Sequence, residues 1–170
     1  SRSFHTAESP SISRSGFTGL QKKRTIEFAE VNPKDDDFGW CPLLDASRSG
    51  DLRQVRLLLN STAEVGSRCN SGNTAMHICA RGGHIDVVEY LIAENGEING
   101  QNNNGWTPLM WSSIFGHVAV ASSLVHASAD LALADDEGLT SLMLGAHHGH
   151  LGIVQTLLNA GDDVCRRDKA

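Results

Sequence analysis

The chain has 170 residues, 40% of them apolar, with 14 Lys and Arg against 20 Asp and Glu for a formal net charge of −6. That is enough apolar material for one core of ordinary globular type, so a single domain is the default. No run approaches the roughly eighteen consecutive apolar residues of a membrane span, SRSFHTAESP at the start lacks the apolar centre of a signal peptide, and an acidic balance repels phosphate, which argues against a nucleic-acid ligand.

Residues 1–38 carry six serines among the first twenty and show no hydrophobic period, the composition of a flexible tail. QKKRT then precedes IEFAEV, where Ile26 and Phe28 alternate as in a short extended segment, and Asn32-Pro33 before Asp35 to Asp37 reads as a turn. This stretch either caps the exposed edge of the folded part beyond residue 38 or serves as a docking peptide. Thr25, behind three basic residues, is a candidate phosphorylation site for a basophilic kinase; the alternative is a basic tail with no such role. The chain opens on Ser1 rather than Met, so a piece of a longer protein is expected.

From residue 39 a period appears. Gly39, Gly72, Gly105 and Gly138 stand 33 residues apart, and Gly50, Gly83, Gly116 and Gly149 keep the same step, which divides the chain into units 39–71, 72–104, 105–137 and 138–170. Thr74, Thr107 and Thr140 are good N-caps, and Pro42 and Pro108 stand where a helix's first residue needs no N–H, so a short helix starts after the first glycine of each unit. The second glycine permits a turn at positive φ, and a second helix follows with apolar residues at helical spacing, such as Val87, Val88, Leu91 and Ile92, or Ile153, Val154, Leu157 and Leu158. Polar runs such as GQNNNG and LADDEG then read as exposed loops leading to the next glycine. One such unit cannot bury its own apolar face, so the four must stack.

The aligned units GWCPLLDASRSGDLRQVRLLLN, GNTAMHICARGGHIDVVEYLIA, GWTPLMWSSIFGHVAVASSLVH and GLTSLMLGAHHGHLGIVQTLLN resemble the ankyrin repeat family over residues 39 to 170. The resemblance implies an all-α solenoid of four stacked helix-turn-helix units with β-turn or loop fingers. The family's Thr-Pro-Leu-His is incomplete in every unit, appearing as CPLL, TAMH, TPLM and TSLM, so the threonine-to-histidine hydrogen bond it implies is available only at Thr74 and His77. Unit three has Ser112 and Ser113 where small alanines are usual, and a thin second helix around Ala121, Ser122 and Ser123. Those serines need partners, such as a carbonyl one turn back, and the unit is expected to be the softest of the four.

Three of the nine aromatic residues, Trp106, Trp111 and Phe115, fall within one thirteen-residue stretch. In the family the first helix and the loop tips line a concave surface, and the positions of these rings imply that all three converge there. Trp106 shares its place in the unit with Trp40 and Leu139, Trp111 with Ile78 and Leu144, and Phe115 with His148; Trp111 and Phe115 are also i,i+4 neighbours on one helix. Two readings of Trp111 are open, a core plug or part of an exposed patch. Grouped exposed aromatics are uncommon without a use, and tryptophan leads the residues that anchor interfaces. The candidate partner-binding set is therefore Trp106, Trp111 and Phe115 as anchors, Ile78 and Leu144 as apolar flanks, and Trp40, Arg81, Asn103, Asn104, Glu137, Leu139, His147 and His148 around them. The units hold four basic and three acidic residues, one and four, none and four, and three and three, giving +1, −3, −4 and 0. An acidic middle either steers a partner segment with apolar anchors and basic flanks or simply keeps the surface solvated.

Chemistry is thinly represented. His147, His148 and His150 cluster in AHHGHL without the i,i+4 spacing of a zinc motif, and His84, His117 and His150 recur at one place in the unit, which points to a structural role. The cysteines, Cys41, Cys69, Cys79 and Cys165, are spaced 28, 10 and 86 apart, neither a zinc pair nor a disulfide scaffold, so reduced thiols in the cytosol or nucleus are expected. No phosphate loop, nucleophile elbow or catalytic pairing is present, and no metal or cofactor is implied. LIAENGEIN matches the pattern hydroxylated on asparagine in some ankyrin repeats, which makes Asn99 a modification candidate; the alternative is a turn asparagine bonding its own loop. The expected function is a protein–protein interaction module, part of a larger scaffold or regulatory protein and monomeric by default. The alternative is a substrate-recruiting domain of a multidomain enzyme whose catalysis lies outside this chain.

Overall fold

The computed structural model describes residues 39–61 and 63–161. Eight helices follow one another in pairs among these residues: α1 (Pro42–Ser49) and α2 (Leu52–Asn60), α3 (Ala75–Gly82) and α4 (Ile85–Ala93), α5 (Pro108–Phe115) and α6 (Val118–His126), α7 (Ser141–His147) and α8 (Leu151–Asn159). The first helices start as their caps dictate. Thr107 and Thr140 accept the backbone N–H of Met110 and Met143, at 3.3 and 3.4 Å, and Pro42 and Pro108 occupy the first helical position. They stop at Gly50, Gly83 and Gly116, whose φ of about +70° allows a left-handed turn.

Leu43, Met76, Leu109 and Leu142 fill one equivalent position in the four units and are all buried. With Leu44, Val55, Leu58, Val87, Val88, Leu91, Val120, Leu124, Ile153 and Leu157 they form a continuous core between the two rows of helices. Successive first helices pack on one another more extensively than successive second helices do. The row α1, α3, α5, α7 is therefore the closer-packed one.

A histidine ladder ties each unit to the one before. The ring Nε2–H of His84 donates to the carbonyl of Arg48, that of His117 to Arg81 and that of His150 to Ile114, at 3.0, 3.0 and 2.8 Å. A carbonyl only accepts, so these bonds fix the protonated nitrogen as Nε2 in each ring. Histidine recurs at this position because it bridges the gap between units. The buried Ser112 and Ser113 hydroxyls both donate to the carbonyl of Leu109, at 2.8 and 2.9 Å, the partner one turn back that those residues need.

The polar loops are cross-braced rather than loose. Arg68 donates to the carbonyls of Gly72 and Gln101, at 3.0 and 2.9 Å, and pairs with Glu97. Gln101 repeats the pattern one unit on, donating to the carbonyls of Gly105 and Ala134 at 2.8 and 3.0 Å. Asn103 reaches back to the carbonyl of Asn70 at 2.8 Å. No helix of the described residues is long and apolar enough to cross a membrane. Residues 1–38, with Thr25, and Cys165 lie outside the described residues.

Candidate functional site

Trp106 is held at three points. Its backbone N–H donates to Asn102 Oδ1 at 2.9 Å, its carbonyl accepts from His77 Nε2 at 3.0 Å, and its indole N–H donates to Asp135 Oδ2 at 3.1 Å. Asp135 is buried, 5% exposed, and its other oxygen accepts the backbone N–H of Glu137 and Leu139, at 3.0 and 2.8 Å. A buried carboxylate with three N–H donors is a structural charge, well satisfied and unavailable to a partner. Residue 102 in the preceding unit works in the same way, its side chain accepting from Asn104 and Trp106 and donating to Asn73. The grip on Trp106 is thus a position of the repeat, one that reading the loops as merely polar and exposed does not find.

The three rings meet. Trp106 stands edge-on to Trp111 with centroids 4.6 Å apart and planes at 67°, and Trp111 lies near-parallel to Phe115 at 6.0 Å. Phe115 is 44% exposed, while Trp106 and Trp111 are half-buried. Trp111 therefore belongs partly to each reading: it packs against the core and also forms a continuous surface with Phe115. The guanidinium of Arg81 stands 5.1 Å from the Trp111 centroid and 5.7 Å from that of Phe115, over both faces. No carboxylate among the described residues pairs with Arg81.

On either side of this aromatic ridge the surface is hollowed. One depression, of about 450 Å³, is lined by Trp40, Arg48, Arg81 and Ile78 among others; the second, of about 380 Å³, is lined by Asn104, Trp106, Asp135, Asp136, Glu137 and Leu139. Trp40 is half-buried, with Arg48 5.4 Å from its ring centroid and in turn 3.3 Å from Asp45. Asn103, Asn104 and Glu137 are exposed and Leu139 half-buried, at the finger tips.

Two of the apolar residues expected beside the rings need correction. Ile78 and Leu144 are only 7% and 5% exposed, because their position on the first helix turns into the stack; Ile78 still lines the depression beside the rings, but neither offers an exposed apolar flank. His147 and His148 are exposed and lie on the fourth unit, their centroids 5.1 Å apart, and His148 in turn stacks on His150 with centroids 6.3 Å apart. The His148 Nδ1–H donates to the carbonyl of Leu144 at 2.9 Å, and His150 is engaged by Ile114. Among the described residues no group of three or more His, Cys, Asp or Glu is placed to hold a metal ion. Cys41, Cys69 and Cys79 are free and buried, and burial pushes the Cys79 thiol up to about 12. Asn99 is exposed, and its side-chain oxygen accepts the backbone N–H of Asp130 at 2.9 Å, a bond to the next loop and not to its own.

The family model described as ankyrin repeats (three copies) matches residues 19–102 and 92–168. The chain belongs to the ankyrin repeat family, and its fold is that family's helical solenoid. Ankyrin repeats are, as a class, protein–protein interaction modules, typically without catalysis of their own. A comparison with curated proteins finds no match.

Proposed function

We propose that the domain binds a partner protein on the face made by the first helices and the finger tips, with Phe115, Trp111 and Trp106 as anchors. The observation that carries this is the contiguous ridge of three rings, open to solvent at Phe115 and half-open at the two tryptophans. Rigid aromatic side chains present large apolar area with little rotamer entropy left to lose, which is what an interface centre requires. Trp106 is rigid because its N–H, carbonyl and indole are all bonded within the fold. The network around it holds the ridge in place before any partner arrives.

Selection of random peptides against the folded domain tests the proposal. Retention of captured peptides is expected to fall at least tenfold with Phe115→Ala, which removes an exposed ring and leaves the fold in place. Capture indifferent to that change would place binding elsewhere.

A further inference from the structure

We infer that the occupant of this face is an extended peptide segment of divided charge, with an acidic side chain at the end over units one and two, a basic side chain at the end over units three and four, and an apolar residue between them on Phe115 and Trp111. This rests on the proposal that the first-helix face is the binding surface.

The two depressions flanking the ridge have opposite character. In the first, Arg48 is already compensated by Asp45, whereas Arg81 stands over the rings with no carboxylate among the described residues to neutralise it. In the second, Asp135 is consumed by the Trp106 indole and two backbone N–H groups, but Asp136 and Glu137 are exposed and lack a basic partner among the described residues. Unit three contains no Lys or Arg at all, so nothing within it can compensate them. An unpaired cation on the unit-two edge of the ridge, over the Trp111 and Phe115 rings, and two unpaired carboxylates beyond Trp106 are complementary to a ligand carrying the reverse order of charge.

The stack sets the spacing. The first depression straddles units one and two, and the second lies between the finger of Asn104 and Trp106 and the finger of Asp135 to Leu139, so their centres stand about two repeat spacings apart, roughly 16–20 Å at 8–10 Å each. Extended chain advances about 3.3 Å per residue, and Arg81 lies on the ridge side of the first depression, so the acidic and basic side chains stand at most about five or six positions apart. A helical ligand would need about twelve residues to cover that distance, at about 1.5 Å each, and would offer only one turn to the ridge. The charges set orientation and on-rate more than affinity, since they are exposed and screened.

The test is peptide selection with a displayed random library about twelve residues long, followed by synthetic peptides of the enriched sequence. Wild type is expected to enrich sequences with Asp or Glu no more than about six positions from Lys or Arg. Asp136→Lys with Glu137→Lys is expected to exchange the preferred basic residue for an acidic one while leaving the distant acid preferred. Arg81→Glu is expected to do the reverse, with Arg81→Gln as the milder variant should the reversal disturb packing over Trp111. Each reversal is expected to weaken the wild-type peptide by about tenfold at low salt and by less at high salt. Phe115-dependent peptides without opposed charges, or with a charge preference that the reversals do not move, would overturn the inference and leave the binding face standing. Peptides that bind independently of Phe115 would overturn both.

Discussion

His77 and Trp106 are joined across the interface of units two and three: the imidazole Nε2–H donates to the tryptophan's backbone carbonyl at 3.0 Å. On the other side of the ring, Nδ1 accepts from the Thr74 hydroxyl at 2.9 Å and from its backbone N–H at 3.1 Å. One neutral tautomer satisfies all three bonds, and it anchors the finger that carries the ridge to the core of the preceding unit.

Burial of His77 depresses its pKa from 6.5 to about 4. A base whose pKa is lowered by folding binds its proton more readily in the unfolded chain, so its contribution is present above pH 6.5 and is lost as pH falls toward 4. The size is about 3 kcal/mol at about 1.4 kcal/mol per pKa step. His77→Met, the residue that units three and four carry at this position as Met110 and Met143, removes that titration. The variant is expected to be less stable than wild type by about 2 kcal/mol at pH 7, and the gap should close near pH 5 and reverse by about 1 kcal/mol near pH 4. Urea midpoints of both proteins across that range decide the matter; a constant gap would mean His77 does not titrate as its burial dictates.

The two tryptophans of the ridge should respond differently to loss of the indole N–H. Trp106 donates to the buried Asp135, whereas the Trp111 Nε1 is buried with no partner among the described residues. An orphaned buried donor costs about 1–3 kcal/mol, which offsets the packing that the larger ring provides. Trp111→Phe is therefore expected to be nearly neutral. Trp106→Phe is expected to cost about 2–3 kcal/mol more, because it leaves a buried carboxylate oxygen short of a donor. Chemical denaturation of the pair checks the order; equal losses would show that the indole bond contributes nothing.

The period of 33 made the fold legible, since caps and turn glycines recur at fixed places and each unit restates the pattern of the last. The convergence of the three rings was legible through the same register, because Trp111 and Phe115 share a helix face and Trp106 precedes its cap. What escaped was which partner each polar side chain takes. Asp135 counts as a surface charge in a sequence sum, yet it is buried beneath Trp106, because the repeat bends the finger so that position 135 meets position 106 of the same unit's opening turn. Ile78 and Leu144 escaped for the related reason that one place on the first helix holds a half-open Trp111 and two closed aliphatics: the indole is too large to be swallowed by the space that holds Ile or Leu. Size, not pattern, decides exposure there.

Asn95 and Ser128 occupy equivalent positions just beyond α4 and α6, and both sit at positive φ, +59° and +66°. Gly161 takes the same place in unit four at +92°. Asparagine tolerates the left-handed region through local hydrogen bonding; serine does so less well. Ser128→Gly is expected to stabilise the protein by about 0.5–1 kcal/mol, and Asn95→Gly by less than half that. Thermal unfolding of the single variants reads the difference. A loss at Ser128 would mean that its exposed side chain contributes more than the backbone strain it imposes.

Gly116 and Gly149 separate backbone strain from contact, because they share a φ of +71° and +74° but not their surroundings. A Cβ on Gly116 would stand 2.6 Å from His150 Nδ1, against the ring whose Nε2–H holds the Ile114 carbonyl; a Cβ on Gly149 meets nothing within 4 Å. Gly149→Ala is expected to cost about 1 kcal/mol, the strain of a left-handed alanine. Gly116→Ala carries that same strain and must also displace the imidazole, with loss of a rung between units three and four worth about 1–2 kcal/mol more. Hydrogen exchange extends the comparison beyond a melting temperature: the amides of α7 and α8 should lose protection in Gly116→Ala and keep it in Gly149→Ala. Equal destabilisation of the two, with exchange unchanged across the fourth unit, would mean the histidine ladder is not what binds that unit to the stack.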